Sequence, residues 1–229
     1  VSDAYQDAIE QTREDMADRD YESERKHHRM QICRIPLLYE DVSLGFVPDD
    51  ATYREKIVTW QKRFLEAAQA AKRYPGLYLH GPAGSGKSAL AAGIATFMSG
   101  KGMGTLWLNY GELFDVAKHD PAWVDKVDEG MWSFAQRCHL LVIDDANQAV
   151  SRGNTYTDLV DAKFEELVRT RVARGLTTII TSNFTLDNLR ESGREVLADV
   201  IDESSYTLEI NAMNFRYLRR RRRDRKEPL

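Results

Sequence analysis

Gly81-Pro82-Ala83-Gly84-Ser85-Gly86-Lys87-Ser88, directly preceded by the apolar run Leu77-Tyr78-Leu79, decides how this chain is read. It fits the phosphate-binding loop G-x-x-x-x-G-K-[ST], placed as such a loop must be, after a strand and at the opening of a helix. The glycines let backbone N–H groups close around phosphate oxygens. Lys87 reaches the β- and γ-phosphates, and Ser88 offers a hydroxyl to Mg2+ at a helix N-terminus. The stretch from Gly81 through Pro82, Ala83, Gly84, Ser85 and Gly86 to Lys87 and Ser88 is therefore expected to hold a nucleoside triphosphate, with ATP and Mg2+ as the ligands. The small residues from Ala89 to Met98 read as the helix that follows.

A phosphate loop alone names no reaction, because kinases, transporters, GTPases and motor ATPases share it. Two further segments narrow the choice. Leu140-Leu141-Val142-Ile143 is a buried-strand pattern running into Asp144-Asp145, the form of a Walker B element. Asp144 is placed to hold Mg2+ through water, and Asp145 to orient or polarise an attacking water; the plainer alternative is that the pair caps the next loop. Leu176 to Thr181 is a second strand, ending in Ser182-Asn183, where the amide of Asn183 can reach the γ-phosphate or the lytic water.

Outward from these motifs the chain alternates strand and helix. Thr105 to Asn109 reads as a strand, Glu112 to Lys118 and Trp123 to Cys138 as helical, and a polar loop over residues 147–154 leads to a helix through Leu159, Phe164, Leu167 and Val168 that Gly175 ends. Continuous apolar strands alternating with helices predict an α/β fold with a parallel sheet covered on both faces. Upstream, Asp50 can cap a helix whose inner face is Tyr53, Ile57, Trp60, Phe64, Ala68 and Ala71. Residues 3–31 are charged, without Gly or Pro, and carry only a thin apolar stripe, which suits an exposed helix that waits for a partner. The organisation expected is a helical docking segment over 1–31, a connector over 32–48, a nucleotide-binding domain over 49–217 and a basic tail over 218–229.

With 42% hydrophobic and 30% charged residues and a net charge of −4, the composition of the 229-residue chain is ordinary for a soluble domain. Its ends differ in sign: acidic residues outnumber basic ones before Ile32, whereas Arg219 to Arg223 crowd the far end. Cys33 and Cys138 belong to no zinc-like cluster, and His27-His28 reads as solvated helix surface. No apolar run approaches bilayer length and no secretory signal is apparent, so no membrane contact and a cytoplasmic location are expected. The chain begins with Val, which leaves room for residues upstream.

The set Gly81 to Ser88, Leu141-Val142-Ile143-Asp144-Asp145 and Ile179-Ile180-Thr181-Ser182-Asn183-Phe184 resembles the AAA+ ATPases of the DnaC/DnaI helicase-loader and IstB transposition-helper group. Arg34-Ile35-Pro36-Leu37-Leu38-Tyr39 is similar to the segment leading into their ATPase domain, and Asn214-Phe215-Arg216 stands where the group often has Ser-Tyr-Arg. The resemblance runs over residues 32–217. It implies a three-layer P-loop AAA+ domain that binds and hydrolyses ATP, with Lys87, Asp145 and Asn183 as catalytic residues and Ser88 and Asp144 on the metal. It also implies a replicative DNA helicase and single-stranded DNA as partners, and self-association through the ATP sites. The alternatives are an IstB-like transposition helper and a nucleotide-dependent adaptor with little hydrolysis.

Two departures stand out. Asp199 falls where the group places the arginine that enters a neighbour's ATP site, so Arg194 or Arg190 is the candidate for that role, each with the plain reading of a solvated arginine beside it. Ala146-Asn147-Gln148-Ala149 replaces the Gly- and acid-containing stretch that usually follows the Asp pair. The basic tail reads either as a phosphate-backbone contact or as a solubilising end. Phe114 and Lys118, one helical turn apart, read either as a base-stacking pair or as core and surface.

Overall fold

The computed structural model describes residues 22–24, 26–40, 42, 52–70, 72–118, 130–146 and 155–211. Leu77, Leu79, Val142 and Ile179 build the core on one face of its sheet, and Tyr78, Leu141, Ile143 and Ile180 the core on the other. The sheet contains β1 (Gly76–His80), β2 (Thr105–Asn109), β3 (Leu140–Asp144), β4 (Thr177–Ser182) and β5 (Ser205–Glu209) in the order β2-β3-β4-β1-β5. All four pairings are parallel. Strands covered on both faces carry no polar alternation, which is why they read as unbroken apolar runs.

One face is covered by α2 (Arg54–Gln69) and α3 (Lys87–Gly100), through Ile57, Trp60 and Phe64 of the first and the Ala/Ile/Met side of the second. The inner face predicted for α2 is met at Tyr53, Ile57, Trp60 and Phe64, and the helix begins at Arg54. The other face is covered by α4 (Leu113–Lys118), α5 (Met131–Ala135), α6 (Thr155–Ala173), α7 (Leu186–Glu191) and α8 (Glu195–Ser204). This is the three-layer α/β arrangement expected. The strand β5 and the helices α7 and α8 have no counterpart in the sequence reading. The burial of β5 is broken, with Tyr206 and Thr207 exposed, as befits an outer strand but not a core one.

The helix over residues 26–32, α1, ends in a tight turn. The Ile35 amide donates to the Met30 carbonyl at 2.8 Å and the Arg34 amide to Gln31 at 3.0 Å, while Arg34 takes φ 57°. This is the Schellman geometry, with arginine where glycine is usual, at a cost of about 1 kcal/mol. Met30 and Ile35 close it by packing into the core together. The strained residue is held by Glu112 at 3.0 Å and by the Met131 sulfur at 2.7 Å, and beside it the Trp107 amide of the edge strand β2 donates to the Cys33 carbonyl at 2.8 Å.

Most of the segment expected over 1–31 lies outside the described residues. So do the cap at Asp50, residues 119–129 and 147–154, Asn214-Phe215-Arg216 and the basic tail. Among the described residues no helix is long and apolar enough to cross a membrane.

Arg171 of α6 is wholly buried and satisfied without a carboxylate. It donates to the carbonyls of Ala135, Cys138 and Thr177 and to the Thr178 hydroxyl, tying α6 and the turn after α5 to β4. Burial lowers its pKa, the neighbouring Cys138 opposing the shift. Replacing it strands several carbonyls at once. Arg171→Met is expected to destabilise the fold by about 3 kcal/mol or more, read from urea unfolding, with Arg171→Lys recovering only part because one ammonium cannot span the same acceptors. A midpoint unchanged in Arg171→Met would remove the stitching role.

Candidate functional site

The carboxyl ends of β1, β3 and β4 lie side by side, and the chemistry predicted from sequence gathers there. Gly81 leaves β1 at φ 142°, and a side chain on it would meet the Ile210 carbonyl at 2.5 Å, because β5 runs on past the loop with the Ile210 amide donating to His80 at 2.7 Å. The first glycine of the motif is thus required by the outer strand as well as by the turn. Gly86 takes φ 98° at the N-cap of α3, a conformation other residues adopt rarely, and aims the helix start at the loop.

Lys87 opens α3 and folds back over its own loop. Its ammonium donates to the carbonyls of Gly81 and Pro82 and to Asn183 Oδ1, each at 2.9 Å. Lys87 and Asn183, 96 positions apart, are thereby brought into direct contact. Burial lowers the Lys87 pKa, while the charges of Asp145 and Asp144 act to raise it. The ammonium is held by neutral oxygens and lies within the field of two carboxylates.

Asp144 and Asp145 are neighbours in sequence with opposite surroundings. Asp144 is 8% exposed, and burial raises its pKa; hydrogen bonds from Thr181 and Ser88 hold it down. Asp145 is exposed and takes φ 60°, a left-handed turn that Asp tolerates better than most residues. The device that separates them is Thr181, whose hydroxyl donates to Asp144 Oδ1 at 2.6 Å and accepts from the Asp145 amide at 2.9 Å. The Ala146 amide adds a bond to the Thr181 carbonyl, and Ser182 Oγ donates to the Ala146 carbonyl. Below them the Tyr78 phenol, its pKa pushed up to about 12 by burial, donates to the Phe184 carbonyl at 2.7 Å. In the sequence Thr181 reads only as a strand residue. The signal available was a hydroxyl two positions before Asn183, and its meaning depends on the pairing of β3 with β4.

The donor set suits Mg2+. Ser88 and Asp144 supply hard oxygens, the Ser88 hydroxyl acting to lower the Asp144 pKa, and Mg2+ is usually held by one or two such groups together with phosphates. Among the described residues no group of three or more His, Cys, Asp and Glu could hold a metal by itself.

Arg194 is not brought to this cluster by any contact described. It stands at the N-cap of α8 and pairs with Asp161 of α6, both largely buried, and burial raises the Asp161 pKa against the pull of Arg194. Arg190 is held by Asp187 at 3.0 Å, Asp199 at 3.1 Å and Asp202 at 3.0 Å. Asp199, which stands in the arginine's expected place, therefore engages the other candidate arginine. Phe114 packs partly buried against the core, with Lys118 exposed at the far end of α4.

No known protein-family profile matches the sequence, and no curated protein sequence does. Solved structures do. The chain is similar to the crystal structure of DnaI, at 25% identity with a TM-score of 0.62 over 79% of this chain and 93% of that one. It is similar to the DnaC helicase loader, at 17% identity and a TM-score of 0.58 over 77% of this chain and 100% of that one. A third likeness is to the replication initiator DnaA bound to AMPPCP and single-stranded DNA, at 15% identity and a TM-score of 0.56 over 82% of this chain and 56% of that one.

Thr181→Val keeps shape and removes the hydroxyl that holds the Asp144 carboxylate and the Asp145 backbone amide. Mg2+-dependent nucleotide affinity is expected to fall about 10-fold or more, as outer-shell changes do, with Thr181→Ser restoring it. Titration of a fluorescent nucleotide with and without Mg2+ checks this. Equal affinity in the Val and Ser variants would leave the hydroxyl a packing detail.

Proposed function

We propose, from the premise of a DnaC/DnaI-like AAA+ fold, that this chain binds and hydrolyses ATP as a loader of a hexameric replicative helicase onto single-stranded DNA. One observation carries the nucleotide part: Lys87 lies 2.9 Å from Asn183 Oδ1 while the charges of Asp144 and Asp145 act on its ammonium. The phosphate loop, the paired carboxylates and the amide at the strand end thus form one cluster. Lys87 would turn from its loop carbonyls to β- and γ-phosphate oxygens, and Ser88 and Asp144 would hold Mg2+, which would supply charge neutralisation at the phosphates. The exposed Asp145 faces the entering water and polarises it, and Asn183, released by Lys87, orients water or γ-phosphate. The helicase and single-strand parts rest on likeness to the DnaC helicase loader and to DnaA bound to single-stranded DNA.

A second reading, an ATP-dependent adaptor that hardly hydrolyses, is favoured by one feature. Both candidate arginines are engaged by carboxylates of their own chain, and Asp199 holds one of them. Turnover of the assembled protein separates the two readings: stimulation on adding helicase and single strands supports the loader, whereas stoichiometric ATP binding without stimulation supports the adaptor.

Lys87→Ala is expected to weaken ATP binding at least about 10-fold, since charge-assisted bonds to phosphate are lost, and to abolish turnover. Unchanged affinity in a fluorescent ATP titration would sink the phosphate-loop assignment. Asp145→Asn should retain Mg·ATP binding while turnover drops roughly 100-fold or more, because only the water-polarising charge is removed. Equal loss of Mg2+-dependent binding in Asp144→Asn and Asp145→Asn would refute the division of roles. Pull-down of the helicase with and without ATP tests the partner, and recovery that ignores nucleotide counts against a loader.

A further inference from the structure

Away from the phosphate loop, a groove of about 440 Å3 opens between α2 and the outer strand β5. Trp60, Leu77 and Leu208 line it with apolar surface, and Lys56, Arg63, Tyr74 and Tyr206 stand among its polar and aromatic walls, with Glu55 the one carboxylate among the described lining residues and the charge of Glu66 acting on Tyr74. The rings form a continuous series from the core outward: Phe64 to Trp60 at 5.1 Å, Trp60 to Tyr74 at 6.0 Å and Tyr74 to Tyr206 at 6.4 Å. The series ends in Tyr206, which is 49% exposed. A half-exposed ring at the end of such a series, beside cations on long stems, offers a flat face to a nucleobase and charge to the adjoining phosphates. The local charge agrees. Among the described lining residues two cations, Lys56 and Arg63, stand against one carboxylate, in a chain of net charge −4.

We infer that the groove between α2 and β5 binds single-stranded nucleic acid, with bases against Tyr206 and Tyr74 and backbone phosphates on Lys56 and Arg63. A peptide strand could pair with the edge of β5, but it would not need the surplus of cations. The inference deepens the single-strand part of the proposed function and rests on that reading, while the nucleotide site and the helicase partner are independent of it.

The test uses the full chain and fluorescein-labelled oligonucleotides of about 20 residues, all-dT and all-U, followed by anisotropy at several salt concentrations. Tyr206→Ala is expected to weaken binding about 10-fold, since base stacking on one ring is worth that much, and Tyr206→Phe to restore it. Lys56→Gln should reduce the salt slope by about one, as loss of a single phosphate contact does. The tighter of the two oligonucleotides identifies DNA or RNA as the source of the strand. Wild-type protein that binds neither sinks the single-strand reading as a whole. Wild-type binding that persists unchanged in Tyr206→Ala and Lys56→Gln overturns the groove alone. Unchanged oligonucleotide affinity with reduced helicase recovery in Tyr206→Ala also overturns it, making the groove a protein contact.

Discussion

The hydroxyl of Thr181 is the constraint on which the site depends. It joins β4 to the end of β3 by giving a hydrogen to Asp144 and taking one from the Asp145 amide, so two successive carboxylates are committed to different environments. One is buried beside Ser88, where an oxygen ligand for a cation belongs; the other is turned out to solvent. Without parallel pairing of these strands the hydroxyl would have nothing to orient. The same ordering of strand ends lets Lys87 touch Asn183.

The motifs legible in the sequence were those whose meaning is local. A phosphate loop declares itself by glycine spacing, and strands buried on both faces declare themselves by unbroken runs such as Leu140 to Ile143. What stayed hidden depends on distant partners. Strand β5 escaped because an outer strand with Tyr206 and Thr207 exposed lacks that apolar signal. Arg171 reads as one more arginine on a helix until its three carbonyl partners are seen around it. Spacing assigns Gly81 to the loop for phosphate, yet the Ile210 carbonyl gives it a second reason that no pattern of spacing contains.

The arginines illustrate how a departure from a family pattern acquires structural content. Read in sequence, Asp199 is an absence. In the fold it is one of three carboxylates around Arg190, an arrangement on exposed surface that contributes little to stability but fixes where that guanidinium points. Arg194 is bound more deeply, with Asp161. Supplying either arginine to a neighbour would require breaking these contacts first, so the free energy of any such assembly must include that loss.

The turn at Arg34 joins three things that could have moved separately. Its strained backbone ends α1, its guanidinium reaches Glu112, which in turn accepts from the Asn109 amide, and the carbonyl beside it takes the Trp107 amide at the rim of the sheet. Helix α1 is therefore mounted as a lever rather than a tether. A load applied to it would be delivered to the rim of β2 and the entrance of α4, and the distance from grip to fulcrum would be set by one residue in a left-handed kink.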